Sequence, residues 1–420
     1  FVAPPELKGN LREAGPDLWS IRATSLDLAP VARSPAAAPA LEESGLERGG
    51  DFASTAAAPD VELALAEAAR LRRSSDPAAR RALARVLLRA ARGLLERGDP
   101  SAAAARASEA VHLVDTGSTT ELAAALALLA QAEVADGDLA AARSHIDESL
   151  RLEPGRGDVE MLTRLDIRGR IELERGELDS ARETYERSIE IARSQRIDRN
   201  TAVALSKFGE VLLERQDLTG AEAAFKESLE IDRRLVAAAG ETPQALRDVS
   251  VSLSKLGGVL LERQDLTGAE AAFKESLEID RRLFAAAGET RQAQRDVSVS
   301  LSRLGDVLLE RRDLAGAEAA FRESLEIDRR LAASAGETPQ ALRDVSLSIS
   351  KLGGVLLERR DLSGAESAFR DSLEIRRRVL AAVGETPQAL RDVSVSLERL
   401  GGVLLERRDL SGAEAVFRDS

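Results

Sequence analysis

From Asp60 onward, apolar residues recur every three or four positions, and short polar turns interrupt the pattern at regular intervals. This spacing predicts amphipathic helices. Where it is clearest, Val249, Leu253, Leu256 and Leu260 form one buried stripe, and Ala269, Phe273, Leu277 and Leu283 form another. The first helix should open at Thr242-Pro243, an N-cap followed by a first-turn proline, and run to about Arg263. The second is expected to start with a capping box, in which the Thr267 hydroxyl and the Glu270 carboxylate satisfy free amide groups. Ser363 with Glu366 and Ser411 with Glu414 repeat the box, and Ala315 breaks it, which predicts a local cost of about 1 kcal/mol. Gly288 should end the second helix as a left-handed C-cap. Glu270–Lys274 and Glu278–Arg282 are spaced as i,i+4 pairs on its solvated side. Helices of about 20 residues would be rods about 30 Å long.

The pair of helices repeats. Gly209, Gly257, Gly305, Gly353 and Gly401 lie 48 apart, each in a variant of LG-x-VLLER. Residues 209–256 and 257–304 differ at only five positions: Glu210/Gly258, Val236/Phe284, Pro243/Arg291, Leu246/Gln294 and Lys255/Arg303. Before them, Gly98-Asp99, Gly137-Asp138, Gly176-Glu177 and Gln216-Asp217 mark one recurring turn at spacings of 39, 39 and 40. The chain therefore reads as eight helical hairpins, the last incomplete. Residues 60–200 form divergent, shorter hairpins and 201–420 near-identical 48-residue units. Such a period predicts a stacked array whose units pack on their neighbours, with function on a surface rather than in a reactive pocket.

Residues 1–59 differ in kind, with Pro4, Pro5, Pro16, Pro30, Pro35, Pro39 and Pro59 scattered among Ala, Ser and Gly. This is the composition of a linker or of the tail of a preceding domain. Trp19, the only tryptophan, sits there in a short apolar patch expected to dock on the first helices or on another protein. The chain lacks an initiator methionine, and Ser420 corresponds to Ser372, after which the helix continues one period earlier. A segment of a longer polypeptide is the expectation.

Composition narrows the function. Aromatic residues are only 3%, there is no cysteine, and the formal charge is −13. Lack of cysteine excludes disulfides and thiolate chemistry and suits a reducing, cytoplasmic setting. Within 257–304, eight acids alternate with seven bases, which gives no basic stripe for a phosphate backbone. Nucleic acid is not an expected partner, nor is a membrane, since no apolar run approaches the roughly 18–20 residues needed to span one. The two histidines, His112 and His145, lie 33 apart on predicted second helices without a carboxylate at metal spacing, which predicts structural or surface roles. No G-x-S-x-G elbow, phosphate loop or dinucleotide fingerprint occurs. The expectation is a non-enzyme without cofactor.

The repeat resembles the tetratricopeptide repeat. In that family a small residue follows a leucine in the first helix, and the second helix carries Ala and an aromatic four residues on. Leu304-Gly305, Ala317 and Phe321 hold these places, as do Leu256-Gly257, Ala269 and Phe273, and Leu352-Gly353, Ala365 and Phe369. Tyr185 takes the aromatic place in the unit around Gly169 and Ala181. The match covers roughly residues 77–420. It departs from the family in its 48-residue unit, which exceeds the family's 34 by 14, and in Arg281 or Arg329 where a proline often stands. Long units of this kind look like a bacterial subset of the family. The resemblance implies an all-α solenoid, a right-handed superhelix of helical hairpins.

In that family the first helices line a concave groove that holds an extended peptide or a partner helix. The matching positions are Arg247, Val251, Ser254 and Gly258; Arg295, Val299, Ser302 and Asp306; Arg343, Leu347, Ser350 and Gly354; and Arg391, Val395, Glu398 and Gly402. Serine and glycine stand where some members grip a terminal carboxylate, so a smooth groove for a closely packed helix is implied. Alternatively, the Ser-x-Ser-x-Ser run merely solvates a helix. The function implied is a non-catalytic scaffold or adaptor that binds protein. The alternatives are a sensor or regulatory arm of a larger bacterial signalling or defence enzyme, and a self-assembling array.

Overall fold

The computed structural model describes residues 61–73, 76–114, 118–152, 159–287 and 290–418. Residues 1–59, including Trp19, and the expected C-cap Gly288 lie outside them. Among the described residues there are seventeen helices and no strand. A leading helix, α1 (Val61–Leu71), packs on the first of eight hairpins. The shorter hairpins are α2 (Pro77–Glu96) with α3 (Pro100–Leu113), α4 (Thr119–Asp136) with α5 (Leu139–Leu152), and α6 (Val159–Glu174) with α7 (Leu178–Ser194). Then follow α8 (Asp198–Glu214) with α9 (Leu218–Ala239), α10 (Pro243–Glu262) with α11 (Leu266–Ala287), and α12 (Arg291–Glu310) with α13 (Leu314–Ala335). The array continues through α14 (Pro339–Glu358) with α15 (Leu362–Val383), and α16 (Pro387–Glu406) with the short α17 (Leu410–Arg418). The described residues fall into two compact units, one ending at Ala238 and the other beginning at Ala239. Within each, every helix packs on its chain neighbours, and first helices of successive hairpins touch directly, as α4 does α2 and α12 does α10. This is an all-α solenoid.

The close approach of the two helices in a hairpin depends on glycine. A methyl placed on Gly257 would lie 2.8 Å from the Phe273 ring, and one on Gly305 2.5 Å from Phe321. Gly169 stands in the same relation to Tyr185, and Gly353 to Phe369. Tyr185, Phe273, Phe321 and Phe369 are completely buried, so each ring fills the space that glycine leaves. The predicted apolar stripes, Val249 to Leu260 and Ala269 to Leu283, are buried as well.

The recurring turn is a left-handed residue followed by a cap. Gly98, Gly137 and Gly176 hold the left-handed position in the shorter hairpins. Gln216, Gln264, Arg312, Arg360 and Arg408 hold it in the longer ones, with φ between 62° and 65°. The next residue is the N-cap of the second helix. Asp265 Oδ1 accepts from the Gly268 amide at 3.0 Å, and Asp217, Asp313, Asp361 and Asp409 cap their helices in the same way. This corrects the expected capping box. Thr267 stands inside the helix, and Ala315 costs no cap because Asp313 supplies it. At the first helices, Thr242 caps as expected and accepts from the Ala245 amide at 3.2 Å.

Most of the alternating charge stitches hairpins together. Lys274 pairs with Glu270 at 2.5 Å within its helix, but Arg282 reaches Glu241 instead of Glu278. Arg281, in place of the family's proline, crosses to Glu323 of the next second helix at 2.7 Å. Arg311, Arg359 and Arg407 reach back to Glu270, Glu318 and Glu366, and Arg312 and Arg360 reach forward to Glu358 and Glu406. Each exposed pair contributes at most about 1 kcal/mol, so the ladder fixes register more than it adds stability.

Candidate partner-binding face

The unit beginning at Ala239 presents four first helices, α10, α12, α14 and α16, that carry the candidate residues in equivalent positions. The structure leaves fifteen of the sixteen half-buried. Ser350 differs: it is fully buried and accepts a hydrogen bond from Arg399 Nη1 at 2.7 Å, so it offers nothing to a ligand. The Ser-x-Ser-x-Ser run does not solvate its helix, because Ser250 and Ser252 are buried and only Ser254 is half-open.

Three of the four lining arginines are anchored. Arg247 lies 3.3 Å from Asp296, Arg295 3.0 Å from Asp344, and Arg343 3.0 Å from Asp392, each on the next first helix. A glutamine one turn earlier also donates to each of these aspartates, as Gln292 does to Asp296 at 2.7 Å. Lys351 reaches back to Asp306 at 2.9 Å and lies 5.9 Å from the centre of the Phe321 ring. Between these charged rungs stand Val251, Val299, Leu347 and Val395, beside Ser254, Ser302, Gly258, Gly354 and Gly402. The face is thus a half-buried strip of apolar and small side chains, with the guanidinium groups of Arg247, Arg295 and Arg343 held in place. Burial pushes the Glu398 carboxyl above its usual range, against the neighbouring Arg399.

Sequence reasoning missed the aspartates that hold the arginines, although the Arg-Asp dipeptide recurs beside every lining arginine. It also stopped short of the unit ending at Ala238. There Ser206 and Glu210 occupy the places of Ser254 and Gly258, are buried, and lie beside Lys207, which pairs with Glu210 at 3.1 Å. Elsewhere, His145 Nδ1 lies 2.7 Å from a Glu133 carboxylate oxygen. No cluster of three or more His, Asp or Glu side chains among the described residues is arranged for a metal ion. No helix among them is long and apolar enough to cross a membrane.

The family model of the MalT-like TPR region matches residues 84–255, and a tetratricopeptide repeat model matches residues 345–382. The chain belongs to the tetratricopeptide repeat family. Two solved structures share the tetratricopeptide repeat architecture. The apo form of RapI is similar over 70% of this chain and 98% of its own, at 15% identity and a TM-score of 0.50. A signal transduction ATPase with numerous domains and a tetratricopeptide repeat sensor, from Pyrococcus horikoshii, is similar over 81% of this chain. The match spans 46% of that protein's length, at 13% identity and a TM-score of 0.50. These likenesses concern the fold. No curated protein sequence matches.

Proposed function

We propose that this tetratricopeptide array is a non-catalytic scaffold or adaptor, and that the face of α10, α12, α14 and α16 holds a helix or extended peptide of a protein partner. The observation that carries this reading is the periodic strip itself. All of the equivalent positions on the four first helices but Ser350 are neither buried in the stack nor free in solvent, and aspartates pre-position Arg247, Arg295 and Arg343. Pre-organised side chains lose little freedom on binding, which favours such a surface as a docking site. Stacked repeats also provide extended binding surfaces by their geometry. Affinity capture with the wild type and with a Ser254→Arg/Ser302→Arg variant tests it. A protein retained by the wild type and lost with the folded variant supports the face, and equal retention by both places binding elsewhere.

The tetratricopeptide repeat sensor named in the P. horikoshii protein favours a second reading, in which the array is the sensor arm of a larger signalling enzyme. Partner binding that leaves the activity of such an enzyme unchanged in the joined protein would sink that reading.

A further inference from the structure

The repeats are joined through buried ionisable groups. At the first joint, Asp280 on α11 is 1% exposed and accepts hydrogen bonds from Ser250 of α10 and Ser300 of α12, both at 2.6 Å. Asp296 on α12 is 2% exposed and accepts from Gln292. Among the described residues, the one cation facing both carboxylates is Arg247 of α10, which lies 3.3 Å from Asp296. Ser276 of α11, 2.9 Å from Ser250, adds only a neutral hydroxyl. Two buried carboxylates thus share one guanidinium.

The second joint holds its buried aspartate in the same way, beside a half-buried Asp344. Asp328 on α13 accepts from Ser298 of α12 at 2.5 Å and Ser348 of α14 at 2.6 Å, and Ser324 of α13 lies beside Ser298. Asp344 on α14 accepts from Gln340 and pairs with Arg295 of α12. Lys351 also faces Asp328 but is bound to Asp306, and Arg343 faces Asp344 while bound to Asp392. The third joint reverses the sign. Arg376 replaces the aspartate on α15, and it donates to Ser346 Oγ at 3.3 Å and to the Asp392 main-chain oxygen at 2.7 Å. Arg343 there pairs with the Asp392 carboxylate, beside the main-chain oxygen that Arg376 holds.

We infer that the joints around Asp280 and Asp328 are proton-binding sites that tighten the stack as the pH falls, and that the joint around Arg376 is not. An unmatched charge in a desolvated site is costly, and a carboxyl removes that cost by taking a proton. The serine hydrogen bonds and the arginines favour the charged form. Burial is nevertheless the largest influence on Asp280, Asp296, Asp328 and Asp344, and it raises all four above the usual carboxylate range, Asp296 to about 6. A carboxyl raised in the folded state binds its proton more tightly there than in the unfolded chain. Its stabilising effect is therefore complete below the unfolded value and fades as the pH climbs through the folded one.

The test is urea unfolding of the full chain between about pH 5 and pH 7.5, comparing wild type, Asp280→Asn/Asp328→Asn and Arg376→Asp. Each carboxyl that binds a proton only in the folded state changes the unfolding constant by up to about tenfold per pH unit. The wild-type constant should therefore fall further than that of the asparagine variant on acidification, by up to about tenfold per pH unit for each carboxyl removed. Asparagine, a neutral stand-in for the protonated acid, should leave the variant at least as stable as wild type at the upper pH. Arg376→Asp should steepen the dependence. Parallel profiles for wild type and the asparagine variant, or an asparagine variant weakened equally at every pH, would overturn the inference. Carbon-13 carboxyl titration of the wild type provides a reading independent of variant folding. An Asp296 midpoint of about 6, with those of Asp280, Asp328 and Asp344 raised as well, is expected, and none above the ordinary range of about 4 would refute it.

Discussion

Adjacent glycines in α10 give the sharpest test of how the hairpins close. Gly257 faces the ring of Phe273, and a methyl there would lie 2.8 Å from Cε1, 2.9 Å from Cζ and 3.0 Å from Cδ1. Carbon atoms prefer about 3.5–4.0 Å, so the new contact is too close by roughly 0.5–1 Å. The ring is completely buried and cannot swing into solvent; either it leaves its rotamer or the helices part. Overpacking of this kind costs about 1–3 kcal/mol, against a gain of about 1 kcal/mol from replacing a mid-helix glycine. Gly258, the next residue, has nothing within 4 Å of its would-be methyl. Gly258→Ala should therefore stabilise by about 0.5–1 kcal/mol, while Gly257→Ala should destabilise by up to about 2 kcal/mol. Phe273→Leu should partly rescue the second. Trp19 is the only tryptophan and lies outside the repeats, so urea unfolding is followed by far-ultraviolet circular dichroism, with hydrogen exchange to localise the loss to α10 and α11. A Gly257→Ala protein as stable as Gly258→Ala would refute the close-approach argument.

The other predictions use the same denaturation assay unless stated. Asp265→Ala should cost about 1 kcal/mol and Thr267→Ala less than about 0.5 kcal/mol, because the aspartate holds the Gly268 amide; the reverse order would restore the threonine cap. Gln264→Gly should stabilise by about 1 kcal/mol by relieving a left-handed side-chain residue at φ 64°, and a loss would show that the glutamine is held there by something stronger. Gly305→Leu should destabilise more than Gly257→Ala, since its methyl position is only 2.5 Å from the Phe321 ring. Ser302→Arg should leave the melting curve unchanged and abolish partner binding, as read by titration calorimetry with the captured partner.

The hairpins were legible because two independent signals coincide in every unit: an apolar stripe at helical spacing and a turn at fixed period. The Leu-Gly and Ala-x-x-x-Phe pair carried the packing, since glycine opposite an aromatic has one evident steric purpose. The cap was misread because Asp265 and Thr267 are both good capping residues two positions apart. Their order is decided by the left-handed Gln264, a conformation that composition does not signal in a residue other than glycine. The long-range ion pairs escaped because Arg282 has a carboxylate at helical spacing, Glu278, and reaches a different one, Glu241, brought near only by stacking. The two readings of the serine run stayed open for a similar reason. Serine is neutral to a hydrophobic pattern, so full burial of Ser250 and half-burial of Ser254 depend on which neighbouring helix arrives. On the candidate face, position followed from period, while the aspartates that hold the arginines became visible only with the next hairpin in place.

The most direct test of the binding face is photo-crosslinking from single positions. Benzoylphenylalanine is placed at Ser254 or Ser302 on the first helices, and at Lys274 or Arg322 on exposed positions of the second helices. Folded proteins of each kind are irradiated with the captured partner. Crosslinks from Ser254 and Ser302, and none from Lys274 or Arg322, are the predicted result. Crosslinks from the second-helix positions, with silence at Ser254 and Ser302, would contradict the assignment of the first-helix face.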